Sequence, residues 1–187
     1  MLAYIFWHWP QSDVDPEVYR THLAEFHETL ARNKPPGFHN STVFQISNPP
    51  WLDTPGTAFE DWYLVENSAA LDPLNDGAVS GACEESHNRV AREAADGTAG
   101  LYRLRSGTLS LAEARNATWF SKPPGMSYQN LYDSLQSVID DNGAALWGRQ
   151  MTLGPTTEFC VLSPMPIKLP NGIIQHQLAL EVVWSGG

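Results

Sequence analysis

Apolar residues recur along the chain in two rhythms. Residues 2–9 form an unbroken apolar and aromatic run that Pro10 stops, which reads as a strand. Tyr19, Leu23, Phe26 and Leu30 then recur at steps of three and four, the stripe of an amphipathic helix. Asp15 as N-cap, Pro16 at the first helical position and Glu17 after it start this helix. Lys34-Pro35-Pro36-Gly37 ends it just beyond Arg32. Residues 38–47 alternate as a second strand, 48–56 form a loop and 59–66 form a third strand. Asn67-Ser68 caps a second helical region, interrupted at Pro73, Gly77 and Gly81, which Asp96-Gly97 ends after Ala95. A fourth strand over 99–105 completes a β-α-β-β-α-β order, the split βαβ plan of ferredoxin-like units.

The pattern then begins again. The first strand closes on Phe6-Trp7-His8-Trp9-Pro10, and Trp119-Phe120-Ser121-Lys122-Pro123-Pro124-Gly125 opens a second segment of the same plan. Its elements are a strand over 117–121, a helix over 127–141 capped by Ser127, and strands over 145–153 and 157–163 with Gly154-Pro155 turning between them. In place of a second helix stands Pro164-Met165-Pro166-Ile167-Lys168-Leu169-Pro170-Asn171-Gly172, too rich in proline to be helical. A last strand covers 175–184. The fold class expected is α+β: two ferredoxin-like units, the second degenerate, whose antiparallel sheets face each other in a barrel. The unit boundaries fall at 1–107 and 108–187, both within one compact domain. Such a pair closes its barrel within one chain as a monomer, or uses the shortened half's bare sheet face to form a homodimer.

Composition narrows the partners. With 7 Trp, 6 Tyr and 7 Phe, the chain has either a very bulky core or a cavity walled by flat surfaces. A net charge of −10 and no Lys/Arg cluster argue against nucleic acid or an anionic membrane as partner. Cys83 and Cys160 fit no metal or redox spacing and read as buried free thiols. The aromatic start lacks a basic leader, and no apolar run is long enough to span a bilayer, so the expectation is a soluble cytoplasmic protein.

The strand from Tyr4 to Pro10, the helix from Pro16 to Arg32 and the doubled element order resemble the dimeric α/β-barrel superfamily. That group includes antibiotic-biosynthesis monooxygenases, EthD-like proteins, stress-responsive barrel proteins, muconolactone isomerases, small polyketide cyclases and haem-handling relatives. The resemblance is one of topology, and no motif selects a family within it. The lost helix of the second half departs from the plan and leaves that sheet face needing another cover.

Strand alternation divides the candidate chemistry. Ile5, Trp7, Thr42, Phe44, Ile46, Trp62, Leu64, Tyr102, Leu104, Leu178, Leu180 and Val182 are almost uniformly apolar and are expected to pack on the helices. The opposite parity, including Tyr4, Phe6, His8, His39, Asp61, Tyr63, Arg103 and Glu181, mixes rings with ionisable groups and is expected to face the barrel interior. His8 is the candidate acid, base or orienting donor, with Asp61 or Glu181 fixing its tautomer and Arg103 holding a carboxylate or enolate-like oxygen. The competing reading makes His8 a structural hydrogen-bonding residue and Arg103–Asp61 an ion pair. Tyr4, Phe6, His39, Tyr63, His87 and Glu181 complete the candidate ligand-binding set.

His22 and His27 stand five apart on the helix, a poor spacing for a shared metal, and His27 is expected to face solvent. His87 continues the row Val79, Cys83, His87, Val90, Ala94, either as a buried core residue or as a ligand or haem contact at the barrel mouth. No nucleophile motif, glycine-rich phosphate loop or metal motif is present, so no cofactor is expected. These residues describe a small-molecule enzyme acting on an aromatic or polycyclic apolar substrate by proton transfer or cofactor-free oxygenation. The alternative is a non-catalytic binding protein for an apolar ligand or haem.

Overall fold

The computed structural model describes residues 1–53, 56–152, 154 and 156–186. The strand end expected at Leu153 and the Pro155 half of the following turn lie outside them.

The elements run β1 (Leu2–Pro10), α1 (Pro16–Asn33), β2 (Phe38–Ser47), β3 (Thr57–Val65), α2 (Leu71–Val79), α3 (Glu84–Glu93) and β4 (Ala94–Gly107). They continue as β5 (Asn116–Phe120), α4 (Tyr128–Asp141), β6 (Ala145–Thr152), β7 (Phe159–Ser163), β8 (Gln175–Ala179) and β9 (Glu181–Ser185). Local chemistry explains the helix starts. Asp15 accepts a hydrogen bond from the Glu17 amide with Pro16 in the first turn, and the Ser127 hydroxyl accepts one from the Asn130 amide. The region after β3 is two helices rather than one interrupted helix, because a left-handed Gly81 and a 3-10 turn at Gly81–Cys83 break it. Asp96 and Gly97 do not end a helix. They already belong to β4, opposite Trp9 and His8 of β1. Gly97 is required there, since a Cβ would lie 2.4 Å from the Phe6 ring.

All strands pair antiparallel in one sheet, ordered β8-β5-β7-β6-β4-β1-β3-β2-β9. The final strand of the sequence pattern is broken in two at Leu180, whose amide bonds Arg115 O. Its first half pairs with β5 and its second with β2. A single residue thus joins the two outermost strands, so the sheet must curl until its edges meet. The result is an α+β fold with a nearly closed nine-stranded barrel.

The curl reverses the expected use of the two sheet faces. The uniformly apolar set fills the barrel and does not pack on helices. Trp7, Trp62, Trp119 and Trp147 are fully buried there, with ring centroids 5.5 Å apart for Trp7–Trp119 and for Trp62–Trp147. Uniform apolarity marks the face that water never reaches, and in a barrel that is the inside. The outer face packs on α1 in the first half and on α4 in the second, where Leu131, Leu135 and Ile139 meet Phe120, Phe159 and Val161. The proline-rich segment supplies the missing cover itself, by burying Ile167 and Leu169 in the α4 cluster. No helix among the described residues is long and apolar enough to cross a membrane.

One carboxyl sits inside the barrel. Glu60 is wholly buried, and each of its oxygens accepts an indole N–H, from Trp7 at 2.9 Å and Trp62 at 3.1 Å. Burial pushes its pKa up to about 7 against the pull of these two bonds. Its folded pKa exceeds the unfolded one, so this group favours folding below about pH 4.5, and that contribution is lost as pH rises through about 7. The loss amounts to roughly 3 kcal/mol. Urea unfolding across this interval is expected to show stability falling with pH, with a flatter profile in Glu60→Gln. Equal slopes for the two proteins would contradict this.

Candidate active site

The outer face of the first half carries the mixed set, and the space between it and the helices is not filled. A cavity of about 560 Å³ lies between β1 and β3 on one side and α1, α2 and α3 on the other. Its walls are largely apolar, with Phe6 from the sheet, Leu23 and Phe26 from α1, Leu74 from α2 and Val90 from α3. Pairing of β1 with β3 sets Tyr4 against Tyr63 and Phe6 against Asp61, which places the polar floor.

Asp61 is the centre of that floor. Its Oδ2 lies 3.1 Å from Nε2 of His8 and 3.1 Å from Nε2 of His27, and it accepts the Tyr63 hydroxyl at 3.1 Å. Each imidazole meets a hydroxyl with its other nitrogen: His8 Nδ1 is 2.7 Å from Tyr19 Oη, and His27 Nδ1 is 2.8 Å from Ser41 Oγ. A carboxylate only accepts, so His27 Nε2 carries the hydrogen in its bond to Asp61 and His27 Nδ1 accepts from the Ser41 hydroxyl. His27 is aligned for its bond to Asp61. His8 Nε2 stands close enough for a charge contact but off the hydrogen-bond direction, and it and Asp61 Oδ1 are buried without a hydrogen-bond partner. The arrangement is one carboxylate shared by two hydroxyl–imidazole arms.

Burial alone would raise the Asp61 pKa, but the His8 and His27 imidazoles override it and hold the carboxyl well below the usual carboxylate range. Asp61 therefore stabilises the fold above its ordinary pKa, and that contribution is lost as pH falls below it. Burial, reinforced by the Asp61 charge, raises the hydroxyls of Tyr4, Tyr19 and Tyr63, so these phenols stay neutral. Above the floor, Glu93 binds His22 at 2.8 Å and Arg89 binds Glu25 at 2.8 Å, tying α3 to α1.

Among the candidates from sequence, Tyr4, Phe6, His8, Asp61, Tyr63 and His87 meet around this cavity, on the helix side of the sheet and not inside the barrel. His39, Arg103 and Glu181 do not line it. His39 is exposed at the start of β2, Arg103 is exposed on β4 with its Nε on Gln150, and Glu181 pairs with Arg20. His87 is half-buried on the wall against Phe26, its Nδ1 near Asn88. His27 is fully buried where solvent exposure was expected. It stands four residues after Leu23 and one after Phe26, so a wider apolar stripe on α1 contains it. Tyr19 was legible as a core residue but not as the partner of His8, since their contact depends on how α1 crosses β1. Among the described residues no cluster of His, Cys, Asp and Glu has the arrangement of a metal centre.

No protein-family model and no curated protein matches the sequence. Solved structures resemble it as folds. A provisionally assigned monooxygenase from Fusobacterium nucleatum superposes with a TM-score of 0.62 at 7% identity, over 98% of this chain and 93% of that one. An anthrone oxidase-like protein gives 0.57 at 10% identity, over 99% and 92%. A provisionally assigned monooxygenase from Lactobacillus acidophilus gives 0.58 at 10%, over 98% and 95%. At these identities the likeness establishes a shared barrel-type α+β fold.

Proposed function

We propose that this protein is a small-molecule enzyme that binds a planar, mostly apolar molecule between sheet and helices and moves a proton on it, in proton transfer or cofactor-free oxygenation. One observation carries this reading: at the floor of an apolar cavity, a buried hydroxyl, imidazole and carboxylate, Tyr19, His8 and Asp61, stand in contact in that order. The Tyr19 hydroxyl gives its proton to His8 Nδ1 as it takes one from an acidic C–H of the substrate, and Asp61 stabilises the imidazolium that forms. Tyr4 and Tyr63 orient the ring system. The carbanion left behind is conjugated with the substrate's rings and can react with dioxygen without a cofactor. The fold likeness to an anthrone oxidase-like protein supports oxygenation in particular. We assign the scaffold as a fused pair of ferredoxin-like halves, since the runs β4-β1-β3-β2 and β8-β5-β7-β6 place successive strands in the same order.

The test is dioxygen uptake with anthrone in metal-free buffer. Each turnover converts the methylene to a carbonyl with one oxygen atom of dioxygen, and the two hydrogens leave as water with the other. Uptake well above the protein-free rate at substoichiometric protein is expected. Background uptake, together with no deuterium exchange into the methylene, would leave the cavity as a binding site for an apolar ligand, or for haem if the reconstituted protein shows a Soret band.

A further inference from the structure

The geometry points to His27, backed by Ser41, as a positioning residue that acts through Asp61, holding that carboxylate against His8 without touching the ligand; this rests on the catalytic reading above. His27 and Ser41 are both wholly buried, and neither is among the residues that line the cavity. His27 Nε2 lies 3.1 Å from Asp61 Oδ2, and its Nδ1 lies 2.8 Å from Ser41 Oγ. A serine, an imidazole and a carboxylate in this order can activate a nucleophile. Ser41 is shut away from both cavity and solvent, so no substrate reaches it and the chain of groups serves to hold Asp61.

Asp61 needs such a holder. His8 Nε2 stands 3.1 Å from Oδ2 without the alignment of a hydrogen bond, so His8 does not orient the carboxylate it faces. The aligned donors are His27 Nε2–H and the Tyr63 hydroxyl, both at 3.1 Å. Tyr63 lines the cavity and meets the ligand, which leaves His27 as the donor that no ligand can displace. Ser41 in turn occupies His27 Nδ1 and keeps the ring from turning over. The end of the chain closes this arm from behind. Gly186 N donates to Ser41 O at 3.1 Å, the Ser185 and Thr42 hydroxyls stand 2.9 Å apart, and the Trp184 ring lies 5.7 Å from that of His27. Charge developing on His8 therefore meets a carboxylate already fixed in place, with no solvent to reorganise around it.

Dioxygen uptake with anthrone, with matched unfolding curves, separates positioning from packing. His27→Leu keeps most of the volume and removes both ring nitrogens; it is expected to lower kcat roughly 10- to 100-fold and leave KM within about twofold. His27→Gln, whose amide N–H has a similar reach, is expected to recover most of that loss. In a His8→Gln background, His27→Leu is expected to cost no further activity, because the carboxylate it holds has lost the imidazole it serves. The same fold loss in that background, a Gln variant as poor as Leu, or undiminished kcat in folded His27→Leu would each overturn the assignment. If His27→Leu fails to fold, Ser41→Ala carries the same comparison, with a smaller loss expected alone and none in the His8→Gln background. Nitrogen-15 NMR of the unliganded protein needs no turnover and should find the His27 hydrogen on Nε2; a bare Nε2 would also overturn it. Uptake by the unaltered protein no faster than background would instead fail the catalytic reading, and the role of His27 with it.

Discussion

His8→Gln is expected to lower turnover by roughly 10²- to 10⁴-fold, the usual contribution of a positioned proton-transfer group. Gln is close to imidazole in reach and keeps one donor and one acceptor, so a contact to Tyr19 or Asp61 survives while the titratable nitrogen is lost. Thermal unfolding should move little, and KM should change far less than kcat, since His8 presents no apolar wall to the ligand beyond its stacking on Phe6 and Phe59. Asp61→Asn should lower kcat in the same direction while also costing stability, because it leaves two buried imidazoles facing an amide. Steady-state kinetics with matched unfolding curves would decide. Undiminished kcat in a folded His8→Gln protein would remove His8 from the mechanism.

Trp119→Ala is expected to destabilise the protein by about 3–5 kcal/mol, the range for deleting a large buried aromatic. Trp119 is wholly buried, and its ring contacts Trp51 at 5.2 Å, Trp7 and Tyr102 at 5.5 Å and Trp62 at 6.3 Å, most of them across the barrel. Removing it leaves a void that the surrounding strands cannot collapse into without reopening the sheet. Its indole N–H has no hydrogen-bond partner, so Trp119→Phe should cost far less. Denaturant unfolding at low protein concentration measures both. A loss below about 1 kcal/mol for the alanine variant would mean that the barrel interior is not the packed core described above.

Much of the architecture was legible in the chain, and the reasons are local. Asp15 and Ser127 mark helix starts by side-chain bonds to the next turn, and Tyr19, Leu23, Phe26 and Leu30 mark a buried stripe; neither depends on distant contacts. Parity also sorted the strands of the first half and the last strand correctly, keeping Trp7, Trp62 and Leu178 on one face and His8, Asp61 and Tyr63 on the other. Alternation cannot say which face is inside, because that depends on the sheet curling until β8 and β9 meet across Leu180. A break between two strands that pair with opposite edges looks, in sequence, like one continuous strand. Glu60 was overlooked for a related reason. It shares parity with Trp62 and Leu64, and only the approach of the Trp7 indole across the β1–β3 pairing makes a carboxyl tolerable there.

The reversed faces also decide what light can report about this molecule. All four fully buried tryptophans are inside the barrel, and no tryptophan lines the cavity, whose aromatic surface is tyrosine and phenylalanine. The emission of these four is therefore a gauge of barrel integrity, while Trp184, whose ring centroid lies 5.7 Å from that of His27, stands beside the floor of the cavity. A compound that fills the cavity should alter the tyrosine absorption of Tyr4, Tyr19 and Tyr63 and the emission of Trp184, whereas a change in the emission of the four barrel tryptophans alone reports on the barrel.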